Sequence, residues 1–235
     1  MMDKKRRVIL KLSGEALAGE KKTGFDEEVV SEAAGQIRPA VDAGVELAIV
    51  IGGGNFWRGR TSTAIGRVQA DQIGMLATVM NCLYVSEIFR SEGMQTKIFT
   101  PFYVGDMTEL FSKDAAEEAL AAGKVVFFAG GTGHPYFSTD TGIVLRAVEL
   151  GADEILLAKA IDGVYDSDPA INPDAVKFDT LTIDEMVDKQ LKVIDLTASI
   201  IAMENRMPLA VFGLKGEDSI KRALMGDITG TRVTV

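Results

Sequence analysis

The sequence predicts an α/β fold, a three-layer α/β/α sandwich with a mostly parallel central sheet. Six short runs are almost wholly apolar, which is typical of strands that helices cover on both faces. Segments with an apolar spacing near 3.6 residues lie between these runs, and this alternation favours parallel strand–helix–strand units. No linker or internal repeat divides the 235 residues, so a single domain over residues 1–235 is expected.

Each predicted strand is a short run rich in valine, isoleucine, leucine or phenylalanine. The six runs are "VILKL" at 8–12, "LAIVI" at 47–51, "KIFT" at 97–100, "VVFFA" at 125–129, "EILLA" at 154–158 and "LAVF" at 209–212. The final segment, "GTRVTV", predicts one more strand, paired as a hairpin with the run before it.

Five segments between the strands predict helices, and most of them end at a glycine, the residue that most often terminates a helix. They cover 25–44, 69–93, 112–123, 139–151 and 217–226. The segment "AIDGVYDSDPAINPDAVKF", at 160–178, has no such pattern and predicts a long loop. Long loops in compact domains are often functional.

The composition limits the classes of function. The net charge of −9 and the absence of a basic arm argue against a nucleic-acid or anionic-membrane partner. With one cysteine, Cys82, no intrachain disulfide can form, and one histidine, His134, cannot form a histidine cluster for zinc. We find no run of signal-peptide or membrane-spanning type and expect a cytoplasmic enzyme.

Glycine-rich segments follow three of the predicted strands. They are "LKLSGE", "IGGGN" and "AGGTGHP". In an open α/β sheet ligands bind at the carboxyl ends of the strands, so these segments predict one shared anion site lined by backbone amides. It is not a standard one: Glu20 occupies the lysine position of the phosphate-loop pattern, and Trp57 the third glycine position of the dinucleotide fingerprint.

Four charged residues near these segments are candidates for chemistry. Lys11 lies inside an apolar strand, on the same face as Ile9. Arg58 follows the triple glycine, and Asp71 and Asp140 stand near the starts of predicted helices. Each also has a structural explanation: a lysine or arginine can extend to solvent, and an acid favours the first turn of a helix. The individual residues leave both interpretations open.

Six segments together resemble one family. "LKLSGEAL", "VIGGGNFWRG", "DQIGMLATVMN", "GTGHPYFSTDT", "DGVYDSDP" and "KVIDLTA" occur in the order and at the spacing of the bacterial-type UMP kinases, which belong to the amino acid kinase superfamily. The resemblance runs nearly from end to end. It implies the amino acid kinase-like fold and transfer of the γ-phosphoryl group of ATP to UMP with Mg²⁺.

The resemblance also implies roles for individual residues. Lys11, Asp140 and Arg58 are expected to be catalytic, with no side chain binding the metal directly. The expected ATP side comprises Lys11, Leu12, Ser13, Gly14, Gly54, Arg58, Lys159, Tyr165 and Asp168. The expected UMP side comprises Gly53, Asp71, Thr132, Gly133, His134, Pro135, Tyr136, Phe137, Ser138 and Thr139. Lys159 is either a surface lysine or a second cation near the phosphates. Asp195 is expected to support residues of the site without contacting the ligands itself.

Regulation in the family implies a homohexamer that UTP inhibits and GTP activates. The predicted helix over Gln69–Glu92 is expected to contact another subunit. GTP is expected to be a weak effector or none, because the corresponding region offers only Arg90 and Lys97 as clear cations. Ser86 stands there where some members carry an arginine.

Two other functions were weighed. A related enzyme could phosphorylate a carboxylate or carbamate, but it should lack the combination of "DQIGMLATVMN" and "GTGHPYF". A non-catalytic protein that binds nucleotides or oxyanions on the same fold should have lost a catalytic charge, whereas Lys11, Arg58 and Asp140 are all present.

Overall fold

A computed structural model describes residues 5–57, 64–191 and 193–235. Its strands are β1 (Arg7–Leu12), β2 (Glu46–Ile51), β3 (Thr96–Thr100), β4 (Glu109–Leu110), β5 (Val125–Phe128), β6 (Glu154–Lys159), β7 (Val164–Tyr165), β8 (Lys177–Phe178), β9 (Thr180–Thr182), β10 (Leu209–Gly213) and β11 (Thr231–Thr234). Its helices are α1 (Gly14–Leu17), α2 (Glu27–Asp42), α3 (Arg67–Ser91), α4 (Lys113–Ala121), α5 (Thr139–Glu149), α6 (Ile183–Asp188), α7 (Leu196–Glu204) and α8 (Ser219–Leu224).

The main sheet of the described residues has nine strands in the order β4-β3-β5-β2-β1-β6-β10-β11-β9. Its neighbouring strands are parallel except for β10 and β11, which are antiparallel. The predicted, mostly parallel sheet is therefore confirmed. The carboxyl ends of β1, β2, β5, β6 and β10 all meet at one edge, which is where the glycine-rich segments begin.

Helices cover both faces of the sheet, which confirms the three layers. Leu10 and Leu12 of β1 pack in a core with α2, α3 and α8. Ile9 of β1 faces the opposite core, with α4, α5, α6 and α7. The alternation along β1 puts Lys11 on the second face, beneath α5.

Three sequence expectations need correction. The last strand does pair antiparallel with β10, but α8 separates the two, so they do not form a hairpin. The 160–178 loop contains a small antiparallel ribbon, β7–β8, and α6 was not predicted as a helix. Helix α3 begins at Arg67, so Asp71 lies in its second turn, where the helix dipole gives an acid less support than in the first.

Helix α3 has an unusual distribution of side chains. Thr78, Asn81 and Ser86 face inward and are buried, whereas Leu76 and Met80 are about half exposed, at 52% and 46%. The helix is long and apolar enough to cross a membrane by length and composition, but half of that window is buried inside the fold. It packs against β2, β3 and β5, as a core helix does.

Candidate active site

Lys11 and Asp140 form an ion pair at the centre of the site. The Lys11 Nζ contacts Asp140 Oδ1, and less than a fifth of either side chain is exposed. Lys11 reaches this position because it stands one residue before the end of β1, and Asp140 because it is in the first turn of α5. The structure thus joins two predicted catalytic residues that are 129 positions apart.

Lys159, the last residue of β6, is a second cation beside this pair. Its Nζ donates a hydrogen bond to the carbonyl oxygen of Val193. Burial lowers the pKa of Lys159, while the charge of Asp140 raises it and that of Lys11 lowers it further. Lys159 is half-buried, and its role as a second cation near the phosphates stays a prediction.

The turns after β1 and β2 are in direct contact. Gly52 N donates to Leu12 O at 3.1 Å, and a Cβ on Gly14 would overlap the carbonyl oxygen of Gly52. A Cβ on Gly54 would overlap the carboxylate of Glu15. Glycine is therefore required sterically at Gly14, where the obstacle is backbone, whereas at Gly54 the obstacle is the end of a side chain that can move. The predicted residues Leu12, Ser13 and Gly14 lie against the triple glycine. Arg58, predicted to be catalytic and to bind ATP, lies outside the described residues.

A cavity of about 140 Å³ lies between α3 and the loop that follows β5. Of the predicted UMP-side residues, those that line it are Gly53, Asp71, Thr132, His134, Phe137, Ser138 and Thr139. Gly133, Pro135 and Tyr136 belong to the same loop but are not among its lining residues in the described part of the chain. Sequence reasoning missed Trp57, Arg67, Ala70, Gly74, Met75, Thr78, Gly130 and Gly131, which also line it.

Asp71 is held in this cavity by two neighbours. Arg67 Nε donates to both of its carboxylate oxygens at 2.8 Å, and Tyr136 N donates to Oδ2 at 2.8 Å. Tyr136 has a φ of 73°, a strained conformation for a residue with a side chain. The guanidinium of Arg67 lies 5.4 Å from the centre of its ring. The signal for Arg67 was its position one helical turn before Asp71.

Asp195 supports the start of α5 from behind. It caps α7 by accepting from Ala198 N at 3.0 Å, and it also accepts from the hydroxyl groups of Ser138 and Thr141. Ser138 in turn caps α5 by accepting from Asp140 N at 3.0 Å. Through Ser138, Asp195 is connected to the backbone of Asp140, and its indirect role stays a prediction.

A second, larger cavity of about 600 Å³ lies beside the β7–β8 ribbon. Lys159, Tyr165 and Asp168 line it together, as the resemblance implies for residues that share one ligand. The Tyr165 hydroxyl donates to Asp162 Oδ1 at 2.7 Å, and Asp168 Oδ1 accepts from Ala170 N at 2.9 Å. Lys11 lies opposite Leu157 of β6, two residues before Lys159, so this cavity adjoins the Lys11–Asp140 pair.

The described residues contain no cluster of three or more histidine, cysteine, aspartate or glutamate side chains that could hold a metal ion. Asp140 is the carboxylate that contacts Lys11 in the described part of the chain. Mg²⁺ commonly takes only one or two carboxylates, with phosphate and water oxygens completing its shell. Asp140 therefore fits a magnesium ion that phosphates carry, but the site is not a protein cage.

Cations at the end of α3 are paired with other residues of the chain. Arg90 donates to Thr96 Oγ1 at 2.7 Å and to Glu87 Oε2 at 3.3 Å, and Lys97 forms an ion pair with Glu109. Ser86 is buried and hydrogen-bonds Thr96 Oγ1 at 2.7 Å.

Comparison with known proteins identifies this arrangement. The amino acid kinase family matches the chain over residues 6–213, which is most of its length. The chain belongs to the amino acid kinase family. A uridylate kinase of Pediococcus pentosaceus is 49% identical over 233 residues, which cover 98% of this chain and 97% of that protein.

Solved structures of the family have the same fold. A UMP kinase from Bacillus anthracis superposes with a TM-score of 0.93 at 34% identity, covering 97% of this chain and 96% of its own. A UMP kinase from Ureaplasma parvum gives a TM-score of 0.93 at 32% identity, covering 99% and 100%. Both matches cover nearly the whole chain, so the likeness is not confined to one motif.

Proposed function

We propose that this chain transfers the γ-phosphoryl group of ATP to UMP, giving UDP and ADP, as a single domain over residues 1–235. The observation that carries the proposal is the position of the Lys11–Asp140 pair. Asp140 follows Ser138 and Thr139, which line the smaller cavity, and neighbours Lys159, which lines the larger one. One ion pair therefore connects two cavities, as a transfer between two bound nucleotides requires.

The chemistry needs positioning and charge stabilisation rather than a general base. The attacking group is a phosphate oxygen of UMP, which is already ionised at neutral pH. Lys11 stabilises the negative charge that develops on the transferred group, and Lys159 and Arg58 act on the ATP phosphates. The backbone amides of Ser13, Gly14, Gly53 and Gly54 add donors, which such a site needs where charge accumulates.

Magnesium is proposed to enter with ATP. When bound, the ion would neutralise negative charge on the ATP phosphates. Asp140 holds the ammonium group of Lys11 in place and would hold such an ion indirectly. A single carboxylate in contact with Lys11 supports this indirect role.

UMP is proposed to occupy the smaller cavity and ATP the larger one. An ionised carboxylate has about four acceptor sites, and Arg67 and Tyr136 use about three of those on Asp71. The remaining site suits a ribose hydroxyl group. On the other side, Tyr165 packs on the base of ATP and Asp168 contacts its ribose or an amide.

We also propose a cytoplasmic homohexamer in which α3 contacts another subunit. Ile73, Leu76 and Met80 recur on one exposed face of this helix, and exposed apolar stripes of this kind mark interfaces.

UTP shares the uridine and ribose groups of UMP and should compete for the same cavity. GTP needs another site, and the pairing of Arg90 and Lys97 within the chain leaves little free positive charge for it.

The acceptor experiment tests the function directly. ADP release from ATP is expected with UMP, at a far higher kcat/KM than with CMP, and not with glutamate or carbamate. Uracil and cytosine exchange an acceptor for a donor at one ring edge, and a site built for one leaves polar groups unpaired with the other. Turnover with a carboxylate or carbamate would favour the related enzymes, and binding without turnover the non-catalytic alternative. Comparable values for UMP and CMP would indicate a broader pyrimidine kinase.

Lys11→Ala is expected to lower kcat roughly a hundred- to a thousandfold while UMP still binds. Loss of one charge-stabilising donor in a transition state costs about 3–4 kcal/mol. Single-turnover rates and titration with UMP measure the two effects separately. Lys113→Ala, an exposed lysine of α4, is the matched control and should leave both unchanged. Near-normal turnover in Lys11→Ala would exclude the assigned role.

Asp71→Asn is expected to weaken UMP binding by about 1.5–3 kcal/mol, because a charge-assisted hydrogen bond is lost. The matched control is Asp42→Asn in α2, where Arg38 and Asp42 form the same i,i+4 pair on the surface. Steady-state kinetics with each substrate varied in turn measure the effect. A rise in the KM for ATP with an unchanged KM for UMP would mean that the two cavities are assigned the wrong way round.

Sedimentation is expected to give a hexamer, and initial rates at subsaturating ATP are expected to fall with UTP and to change little with GTP. An effector shifts activity only through a difference in affinity between states, typically about 1–3 kcal/mol. A strong activation by GTP would contradict the interpretation of the region around Arg90 and Lys97.

A further inference from the structure

Two asparagine side chains form a closed pair behind the triple glycine. Asn55 Nδ2 donates to Asn81 Oδ1 at 2.9 Å, and Asn81 Nδ2 donates back to Asn55 Oδ1 at 2.8 Å. The two residues are only 2% and 0% exposed. A reciprocal amide pair in the interior is costly to break, since each partner would leave buried polar atoms unsatisfied.

The remaining donor of each amide group holds a backbone carbonyl. Asn81 Nδ2 also donates to Gly52 O at 2.7 Å, and Asn55 Nδ2 donates to Gly24 O at 2.8 Å. All four donors of the pair are therefore used. The pair connects α3, the turn after β2 and the segment between α1 and α2 that contains Gly24.

The bond to Gly52 O sets the direction of the next amide group. In a planar trans peptide the C=O and the following N–H point in opposite directions. With its oxygen held by Asn81, the Gly52–Gly53 peptide must direct the N–H of Gly53 away from Asn81. Gly53 lines the smaller cavity, and a Cβ on it would be 2.9 Å from Gly74 O of α3.

The same helix positions the other side of the cavity. Asp71 holds Tyr136 N, and Thr78 Oγ1 accepts from Gly130 N at 2.7 Å. Asp71, Thr78 and Asn81 lie on one face of α3, because their spacings of seven and three residues are close to whole turns. One helical face therefore fixes both the turn after β2 and the loop after β5.

We propose that Asn81, together with Asn55, is a positioning residue for phosphoryl transfer. It fixes the plane of the Gly52–Gly53 peptide so that the N–H of Gly53 faces the transferred phosphoryl group. Because Asn81 and Asp71 lie on the same face of α3, it also fixes the position of this peptide relative to Asp71 in the UMP cavity. The inference rests on the proposed function. The pair touches no substrate, so its effect is on geometry at the reacting atoms, where an error of about 1 Å can cost a hundredfold in rate.

The test compares Asn81→Ser and Asn81→Asp with a matched control, Ser86→Ala. Ser86 is on the same helix, is 1% exposed, and bonds to Thr96 rather than to the turn after β2. Both Asn81 variants are expected to lower kcat about ten- to a hundredfold and to change the KM for UMP less than about threefold. Ser86→Ala should lose stability on thermal unfolding without losing kcat. Because Asn81→Asp puts a buried acceptor opposite Gly52 O, Asn55→Ser is the further variant: it frees the Asn81 side chain without placing a charge in the interior. It is expected to lower kcat in the same way, and a parent-like kcat in it would overturn the inference.

Each outcome bears on a different claim. A folded Asn81 variant with the kcat of the parent chain would overturn the inference and leave the proposed function intact. An equal loss of kcat in Ser86→Ala would also overturn it, because general loosening of α3 would then explain the effect. A rise in KM at constant kcat would place the defect in UMP binding and exclude the proposed role. A parent chain without UMP-dependent ADP release would overturn both claims.

Discussion

The site depends on how closely three backbone segments approach one another at the carboxyl edge of the sheet. The turns after β1 and β2 touch through Gly14 and Gly52, and α3 presses on Gly53. Side chains at Gly14 or Gly53 would force the segments apart. Close contact brings the end of β1, and with it Lys11, beside the loops that line both cavities. Lys11, one residue before this end of β1, pairs there with Asp140 of α5.

Much of this architecture could be predicted from patterns that are local in sequence. Unbroken apolar runs indicated the parallel strands, because strands covered on both faces need apolar residues at every position. Alternation within β1 put Lys11 on the face of Ile9, which is where α5 covers the sheet. The glycine-rich strand ends indicated a shared site. The role of each charged residue, however, came from resemblance, since one lysine in a strand has a structural explanation as well.

The features that escaped prediction depend on contacts between distant segments. Arg67 lines the smaller cavity because α3 starts two residues earlier than expected. Trp57 lines it because the turn after β2 lies against α3. Helix α6 was missed because its six residues, three of them acidic, are too few to show a helical period. Asn81 looked like an ordinary end to an apolar stretch, and its partner Asn55 stands 26 positions before it. No periodicity connects two such residues; only the fold does.

The burial of Lys159 has a consequence for proton binding. Its ammonium group gives up a proton more readily than an exposed lysine, chiefly because burial disfavours the charge. A polyanion in the adjoining cavity would restore that charge by raising the pKa again. Anion and proton therefore bind cooperatively, and each strengthens the other by the same factor. At alkaline pH the chain would take up protons as it binds nucleotide, so the measured heat of binding would depend on the ionisation enthalpy of the buffer.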